Sequence, residues 1–536
     1  MGLATVRVGD IRSWLNQDAG DVDRRLLLIG LGLVACAVWT ASTSFLHQSK
    51  YILPNPIPGV PFFGNSFQMP LEGQGPFATK LAEKTGEMYT MKFGRATWVF
   101  LNSRRVVTEL LDKRAAIYSC RQNLPMANEI ISAHKRLLLM PYGAPWRKQR
   151  KAMHQILNNT KQTIFLPYQD VESRALLHHY LSQPERWWEA NARFSNSVIM
   201  SVTYGVRSDL GDPDLANLLR NAEQFVPYLF PGQCLIDIFP WLLKVPIPVS
   251  WQPWRWWGTR LQHATRKAYK KLLDDLLERR KLGTQKPCFM TELLDSNKDD
   301  FEAEECYYIG GTLIEAGSDT TRLTLNVALA AAVLQPDWVE RTRKQLDKVC
   351  GANAERLPNF SDMDQLPLIK GVAKESLRWK PAIAETGIPH ALTKDDEFEG
   401  YKLPAGAVVT YNHWAISHLD YDDPERFYPE RFLDEDLNAP TKGHLGFGSG
   451  MLRPVLTRCR RVCVGNTVAW NNLLISLSRM LYCFDFKGDP NAPIDAAVRI
   501  DSTFTKAPFS ISIQPRSEAH CLLIQRECAD AAKMEN

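Results

Sequence analysis

The chain has 536 residues, 45% hydrophobic and 23% charged, a globular composition that excludes a disordered chain and is long enough for a large core. Its formal net charge of +5 is small for that length and argues against nucleic acid as the main partner. Eleven cysteines are scattered without close pairs, which reads as free thiols in a reducing compartment with one available as a ligand.

After an N-terminal segment (1–25), Leu26 to Leu46 runs for about 21 residues without a formal charge, enough to span a bilayer core of roughly 30 Å. A buried core helix is the plainer reading, since Gly30, Gly32 and Thr40 weaken the span; its terminal position and lack of a good cleavage site favour an uncleaved anchor. Arg7, Arg12, Arg24 and Arg25 precede it, and the charge rule taken alone puts the N-terminus in the cytosol. The following hinge (47–64) holds Pro54, Pro56, Pro58 and Pro61, a density that no helix accepts and that stiffens an extended connector.

From Ala78 onward helical patterns dominate one large domain (65–536) with a small β component; Glu87 to Leu101 and Glu397 to Thr410 read as strands. Trp146 and Arg150, at i and i+4, put an indole and a guanidinium on one helix face, suited to a carboxylate or merely to solvent. Phe225 to Trp257 gathers Phe230, Trp241, Trp251, Trp254 and Trp256 among prolines. It is either a buried aromatic cluster or a surface that dips into a membrane.

Tyr307 to Val333 reads as a long apolar helix interrupted by Ala316-Gly317-Ser318-Asp319-Thr320-Thr321, poor composition for a helix interior. Small Ala316 and Gly317 would admit a flat ligand, and Asp319 beside Thr320 suits a proton relay; polar residues that only satisfy the core are the alternative. Glu375 and Arg378 share a helix face ended by Pro381, and Arg431 follows in Phe427-Tyr428-Pro429-Glu430-Arg431-Phe432. Spacing alone leaves these three as separate surface charges. Finally, Phe447-Gly448-Ser449-Gly450 and Arg461-Val462-Cys463-Val464-Gly465 read as two halves of one metal-binding signature. Met451 to Cys459 separates them, with Arg460 as the joint, and a helical pattern from Asn466 to Tyr482 follows.

Taken in this order, the five motifs resemble the cytochrome P450 family of haem-thiolate monooxygenases, and the anchor and hinge resemble its microsomal members, with a fungal flavour. The resemblance implies a mainly α P450 fold behind a transmembrane anchor. It implies haem b with Cys463 as axial iron ligand, a thiolate that favours O–O cleavage and is stabilised by the helix that follows. Trp146, Arg150, His390 and Arg461 would meet the propionates; Ala316, Gly317, Phe447 and Gly465 would complete the haem cradle. Asp319 and Thr320 would guide protons to dioxygen, and Glu375, Arg378 and Arg431 would form a structural charge triad. Implied partners are an NADPH-dependent reductase, dioxygen and a lipophilic substrate. The implied place is the endoplasmic reticulum membrane with the catalytic domain in the cytosol, where the sequons at Asn158 and Asn359 go unused.

In the family the signature runs Phe-Gly-Ser-Gly, one residue, Arg, one residue, Cys, one residue, Gly, and deleting the nine residues Met451–Cys459 restores that frame. A gene-model or splice boundary is the preferred explanation; a real loop would protrude cheaply and bring Arg453, Arg458 and Arg460 to the reductase side. Cys459 is a rival ligand, but no x-Gly follows it. By analogy of position the substrate pocket draws on Ser119–Ser132, Leu313–Gly317, Pro381–Pro389 and Thr503–Phe509, in a role such as secondary metabolism. Two alternatives remain: a haem protein whose insertion blocks turnover, and a dioxygen-independent isomerase or dehydratase on the same fold.

Overall fold

The computed structural model describes residues 50–533 apart from 158–162, 231, 246–247, 249–250, 297–300, 382–384, 434–436, 450–460 and 501–505. The expected anchor Leu26–Leu46, the segment before it, the sequon at Asn158 and the segment Met451–Cys459 lie outside the described residues. Among the described residues no helix is long and apolar enough to cross a membrane. The nine described cysteines are all free.

Contacts divide the chain into two units, Met1–Pro54 with Asp395–Pro404, and Asn55–Lys394 with Ala405–Asn536. In the first, Asp396–Phe398 and Tyr401–Leu403 form an antiparallel hairpin, and Lys402 N–H donates to the Ile52 carbonyl at 2.8 Å.

The second unit is mainly helical. Seven helices position the site: α1 (Ala144–Leu157), α2 (Trp187–Tyr204), α3 (Pro213–Phe225), α4 (Pro253–Lys281), α5 (Ala303–Leu334), α6 (Pro367–Arg378) and α7 (Asn466–Cys483). Helix α5 starts at a capping box, where Glu305 accepts from Glu302 N–H at 3.1 Å. From Thr321 to Ala332 every residue is buried, as a helix apolar on all sides requires. Two of its polar members find acceptors or donors there: Thr324 donates to the Thr320 carbonyl at 2.8 Å, and Asn326 Oδ1 accepts from Asn191 on α2 at 2.7 Å.

The interruption expected at Ala316–Thr321 is absent; α5 is one continuous α-helix. Gly310, Gly311 and Gly317 each cost about 1 kcal/mol against alanine in a helix. A Cβ at Gly310 or Gly311 would strike the Tyr204 hydroxyl or the Tyr269 ring, and one at Gly317 would strike Ile199. The glycines let α2 and α4 approach the helix closely. Burying a side chain such as Ile199 there gains roughly 1.5–3 kcal/mol, so packing outweighs propensity.

Strands occur at the expected Glu87–Leu101 and Glu397–Thr410, while His390–Ala391 and the antiparallel pair Phe484–Gly488 with Ile511–Pro515 were not expected. β1 (Met88–Phe93) and β2 (Ala96–Leu101) pair antiparallel; β3 (His390–Ala391) and β4 (Val408–Tyr411) complete a sheet of order β1-β2-β4-β3. Its edge strand carries His390, and Ala391 N–H donates to Cys120 O at 3.0 Å. The proline-rich segment is pinned beside β1, with Ile57 N–H donating to Thr90 O at 2.9 Å and Asn55 Nδ2 to Thr85 O at 2.8 Å.

The three charges that spacing left on the surface are interior. Glu375 and Arg378 on α6 are both fully buried, paired through two 2.8 Å bonds, and Arg431 Nε reaches Glu375 at 3.1 Å. Phe225–Trp257 divides between the two readings offered for it. Phe225 and Leu229 are core, while Trp241, Trp251 and Trp256 are 59, 76 and 60% exposed. Phe239 links Trp241 to Phe63, which lies against exposed Phe67, so these four aromatics form a continuous patch.

Candidate active site

The two halves of the cysteine signature meet in space. Phe447 follows a turn in which Gly448 N–H donates to Leu445 O at 2.9 Å, and Gly448 has φ 90°, a conformation that glycine adopts without strain. Cys463 N–H donates to the Phe447 carbonyl at 2.9 Å. Arg461 donates through Nε to Ser119 O at 2.9 Å and through Nη2 to Met140 O at 2.7 Å. Its guanidinium also lies 4.3 Å from the Trp146 ring centroid. Arg150, one turn along α1 from Trp146, donates to the Val462 carbonyl. Asn466, the first residue of α7, donates to Cys463 O at 2.7 Å.

Cys463 therefore stands just before the α7 N-terminus, where unpaired N–H groups and the helix dipole favour an anion. Burial pushes its thiol pKa up, while the Arg150 charge and a hydrogen bond from Gly465 N–H pull it down. Its side chain is exposed, yet to an interior cavity and not to bulk solvent. Ala316, in the middle of α5, is exposed in the same way.

That cavity has a volume of about 510 Å³. Every expected cofactor residue lines it (Trp146, Arg150, Ala316, Gly317, His390, Phe447, Arg461, Cys463 and Gly465), and so do Asp319 and Thr320. His390 is buried, and its Nδ1 donates to Tyr118 O at 2.8 Å. Burial, with the Arg121 charge beside it, holds its pKa well below the usual value. Asp319 pairs with Arg322 at 2.8 Å; burial raises its pKa, and Arg322 opposes the rise. Glu223 on α3 is raised by burial and by the nearby Asp319 charge. Thr320 Oγ1 donates to Ala316 O at 2.8 Å, and Ser195 on α2 donates to Gly317 O at 2.8 Å.

The residues present fit a haem. A sulfur opens onto the cavity, side-chain-poor Ala316 and Gly317 stand on α5, and Arg150, Arg461 and His390 offer cationic or hydrogen-bonding groups for carboxylates. Of the four stretches assigned to a substrate pocket, Arg121, Leu313, Glu315–Gly317 and Glu385, Thr386 and Ile388 line the cavity. Of the fourth, residues 503–505 lie outside the described residues; Phe509 packs on Trp187 at 5.2 Å in the core, while Arg499 lines the cavity, paired with Glu385 at 2.7 Å. Sequence reasoning missed Arg136, Leu137 and Leu138, Ala222 and Phe225 at the end of α3, and Val226, Pro227, Leu229 and Phe230 just beyond it. The signal was a basic pair, Lys135-Arg136, set directly against the apolar run Leu137–Met140.

Comparison with known proteins follows the same line. The family model described as Cytochrome P450 matches residues 54–512. Cytochrome P450 monooxygenase verL of Clonostachys rogersoniana is 33% identical over 92% of this chain and 92% of its own length. Cytochrome P450 monooxygenase fogE of Aspergillus ruber is 32% identical over 92% of this chain and 91% of its own. A zebrafish cytochrome P450 solved with abiraterone shares the fold, with a TM-score of 0.63 at 22% identity, covering 83% of this chain and 100% of that one. Joined through the contact between Phe447 and Cys463, and matched along most of its length, this chain belongs to the cytochrome P450 monooxygenase family.

Proposed function

We propose that the chain is a haem-thiolate monooxygenase of fungal secondary metabolism, acting on a lipophilic compound at the endoplasmic reticulum membrane. The observation that carries the reading is the closure of the broken cysteine signature around Cys463, with its sulfur open to the cavity that Ala316 to Thr320 also line.

Haem b would be held by the Cys463 sulfur, with Trp146, Arg150, His390 and Arg461 at its carboxylates. When bound it supplies dioxygen chemistry in which two electrons and two protons send one oxygen atom into a substrate C–H bond and the other into water. The chain's own residues prepare the site. Arg150 and Arg461 fix the cysteine arm by gripping backbone carbonyls and stacking on Trp146. The α7 N-terminus and Gly465 N–H favour sulfur as an anion. Ala316 and Gly317 leave the α5 backbone open. Apolar walls such as Leu313, Phe225 and Val468 exclude water.

Asp319 holds and releases the protons. Its burial raises its proton affinity, the Arg322 charge opposes that rise, and Glu223 is a second carboxyl close enough to feel its charge. Thr320, next on the helix, presents its hydroxyl to the cavity. Electrons would come from an NADPH-dependent reductase docked on the cysteine side. The anchor Leu26–Leu46 would hold the chain to the membrane, and exposed Phe67 and Trp241 would rest in its interface.

The test is a carbon-monoxide difference spectrum of the reduced full chain prepared with ample haemin. A thiolate-type Soret band that disappears in Cys463→His supports the proposal; a colourless protein overturns it.

A further inference from the structure

The cavity also carries a charge pair that the proposed chemistry does not use. Arg136 lines it and is 1% exposed. Its Nη2 lies 3.0 Å from Oε1 of Glu315, and its guanidinium lies 3.8 Å from the Phe225 ring centroid. Nevertheless Nε, Nη1 and Nη2 make no hydrogen bond of acceptable geometry among the described residues. A guanidinium has five N–H donors, and leaving them unmet in a dry site is costly. Such a group is built for an acceptor that arrives from elsewhere.

Glu315 immediately precedes Ala316 on α5 and lines the same cavity, with its side chain 14% exposed. One turn earlier, Thr312 lines it as well, and its buried hydroxyl also makes no hydrogen bond among the described residues. At i, i+3, i+4 and i+7, Thr312, Glu315, Ala316 and Asp319 share one face of the helix. Donors from Arg136 and Thr312 and an acceptor from Glu315 thus line the same cavity as the apolar Leu137, Leu138, Phe225 and Leu313, with Arg136 touching both Glu315 and Phe225.

We propose that Arg136 and Glu315 determine substrate specificity by recognising a neutral group that offers a hydrogen-bond acceptor beside a donor, of the carboxamide class. The proposal rests on the reading of this cavity as a substrate pocket. The pair is neutral as a whole. A carboxylate that reached Arg136 would be repelled by Glu315, and an ammonium that reached Glu315 would be repelled by Arg136. A hydrocarbon would leave the guanidinium donors unmet. An amide satisfies both members: its carbonyl accepts from Arg136 or Thr312, and its N–H donates to Glu315.

The experiment measures dissociation constants by equilibrium dialysis of the haem-loaded full chain against four probes with one ring system: 2-naphthamide, 2-naphthoate, 2-naphthylmethylammonium and 2-methylnaphthalene. The amide is expected to bind at least about tenfold more tightly than each of the others. In Glu315→Gln, which leaves Arg136 without its counter-charge, preference should move to 2-naphthoate by about tenfold. In the double variant Arg136→Met with Glu315→Met, amide and hydrocarbon should come within about twofold of each other, or reverse. An amide without advantage, a charged probe bound best by the unmodified chain, no binding of any probe, or no shift of preference in Glu315→Gln would overturn the proposal. The carbon-monoxide spectrum reports haem ligation separately, so failure of the dialysis ratios and failure of the monooxygenase reading are distinguishable.

Discussion

Cys463 N–H donates to the carbonyl of Phe447 at 2.9 Å, a bond that joins the two arms on either side of segment 450–460. The bond lies between backbone atoms of residues that both line the cavity, so it ties the arm that carries the sulfur directly to the Phe447 turn.

Excising Met451–Cys459 should therefore leave sulfur ligation intact. The reduced carbon-monoxide spectra of the full and excised chains should show the same thiolate-type band, with haem content equal within error. A band in the excised chain alone would show that the contact between the arms is insufficient.

Removing the Thr320 hydroxyl tests the proton path. On the proposed reading, Thr320→Ala should lower product formation by about 10²-fold while NADPH consumption by an added reductase continues, because proton delivery would be the function lost. Thr320→Ser should recover most of the product yield. Equal loss of both signals in Thr320→Ala would point to damage of α5 instead.

Glu375→Ala should be among the most destabilising single changes in the molecule. It strands Arg378, which is fully buried and, among the described residues, otherwise hydrogen-bonded to backbone carbonyls such as Ser417 and Pro424, at 2.9 and 2.8 Å. Breaking one side of a buried pair costs about 3–5 kcal/mol. The shift in the urea unfolding midpoint measures it, and a cost within about 1 kcal/mol, as for a surface pair, would contradict the buried network.

His444 gives a pH-dependent prediction. Its Nε2 donates to Pro440 O at 3.0 Å and its Nδ1 accepts from Gly446 N–H at 3.0 Å, so both nitrogens are satisfied only in the neutral ring. Burial, with Lys374 and His413 nearby, pushes its pKa from 6.5 down to about 3. The unfolded chain then binds the extra proton first. This contribution to stability is fully present above pH 6.5 and is lost as pH falls toward 3, at about 1.4 kcal/mol per pH unit. Asp237, raised by burial to about 7, works in the opposite direction, so the reading is a difference. The stability profile of His444→Gln should be flatter than that of the unmodified chain by that slope.

Much of this arrangement was legible in the sequence, because each motif is local. Trp146 and Arg150 needed only helical spacing, and Asn466 onward announced the helix behind the cysteine. What was not legible required two distant segments at once. The helix through Gly317 looked broken because its compensation comes from Ser195 and Ile199 on another helix. Glu375 and Arg378 looked superficial because the carbonyls that receive Arg378 lie in the loop from Ser417 to Arg426. Arg136 went unmarked. Its partner Glu315 is far along the chain, and only the fold brings the two together.

Because Arg461 is held by Ser119 and Met140 and Cys463 by Phe447, polypeptide inserted between Gly450 and Arg461 need not transmit its length to the sulfur. The junction is a grafting port. A fluorophore-bearing peptide spliced there would act as an optical reporter for whatever protein docks nearby, while the porphyrin pocket keeps its shape.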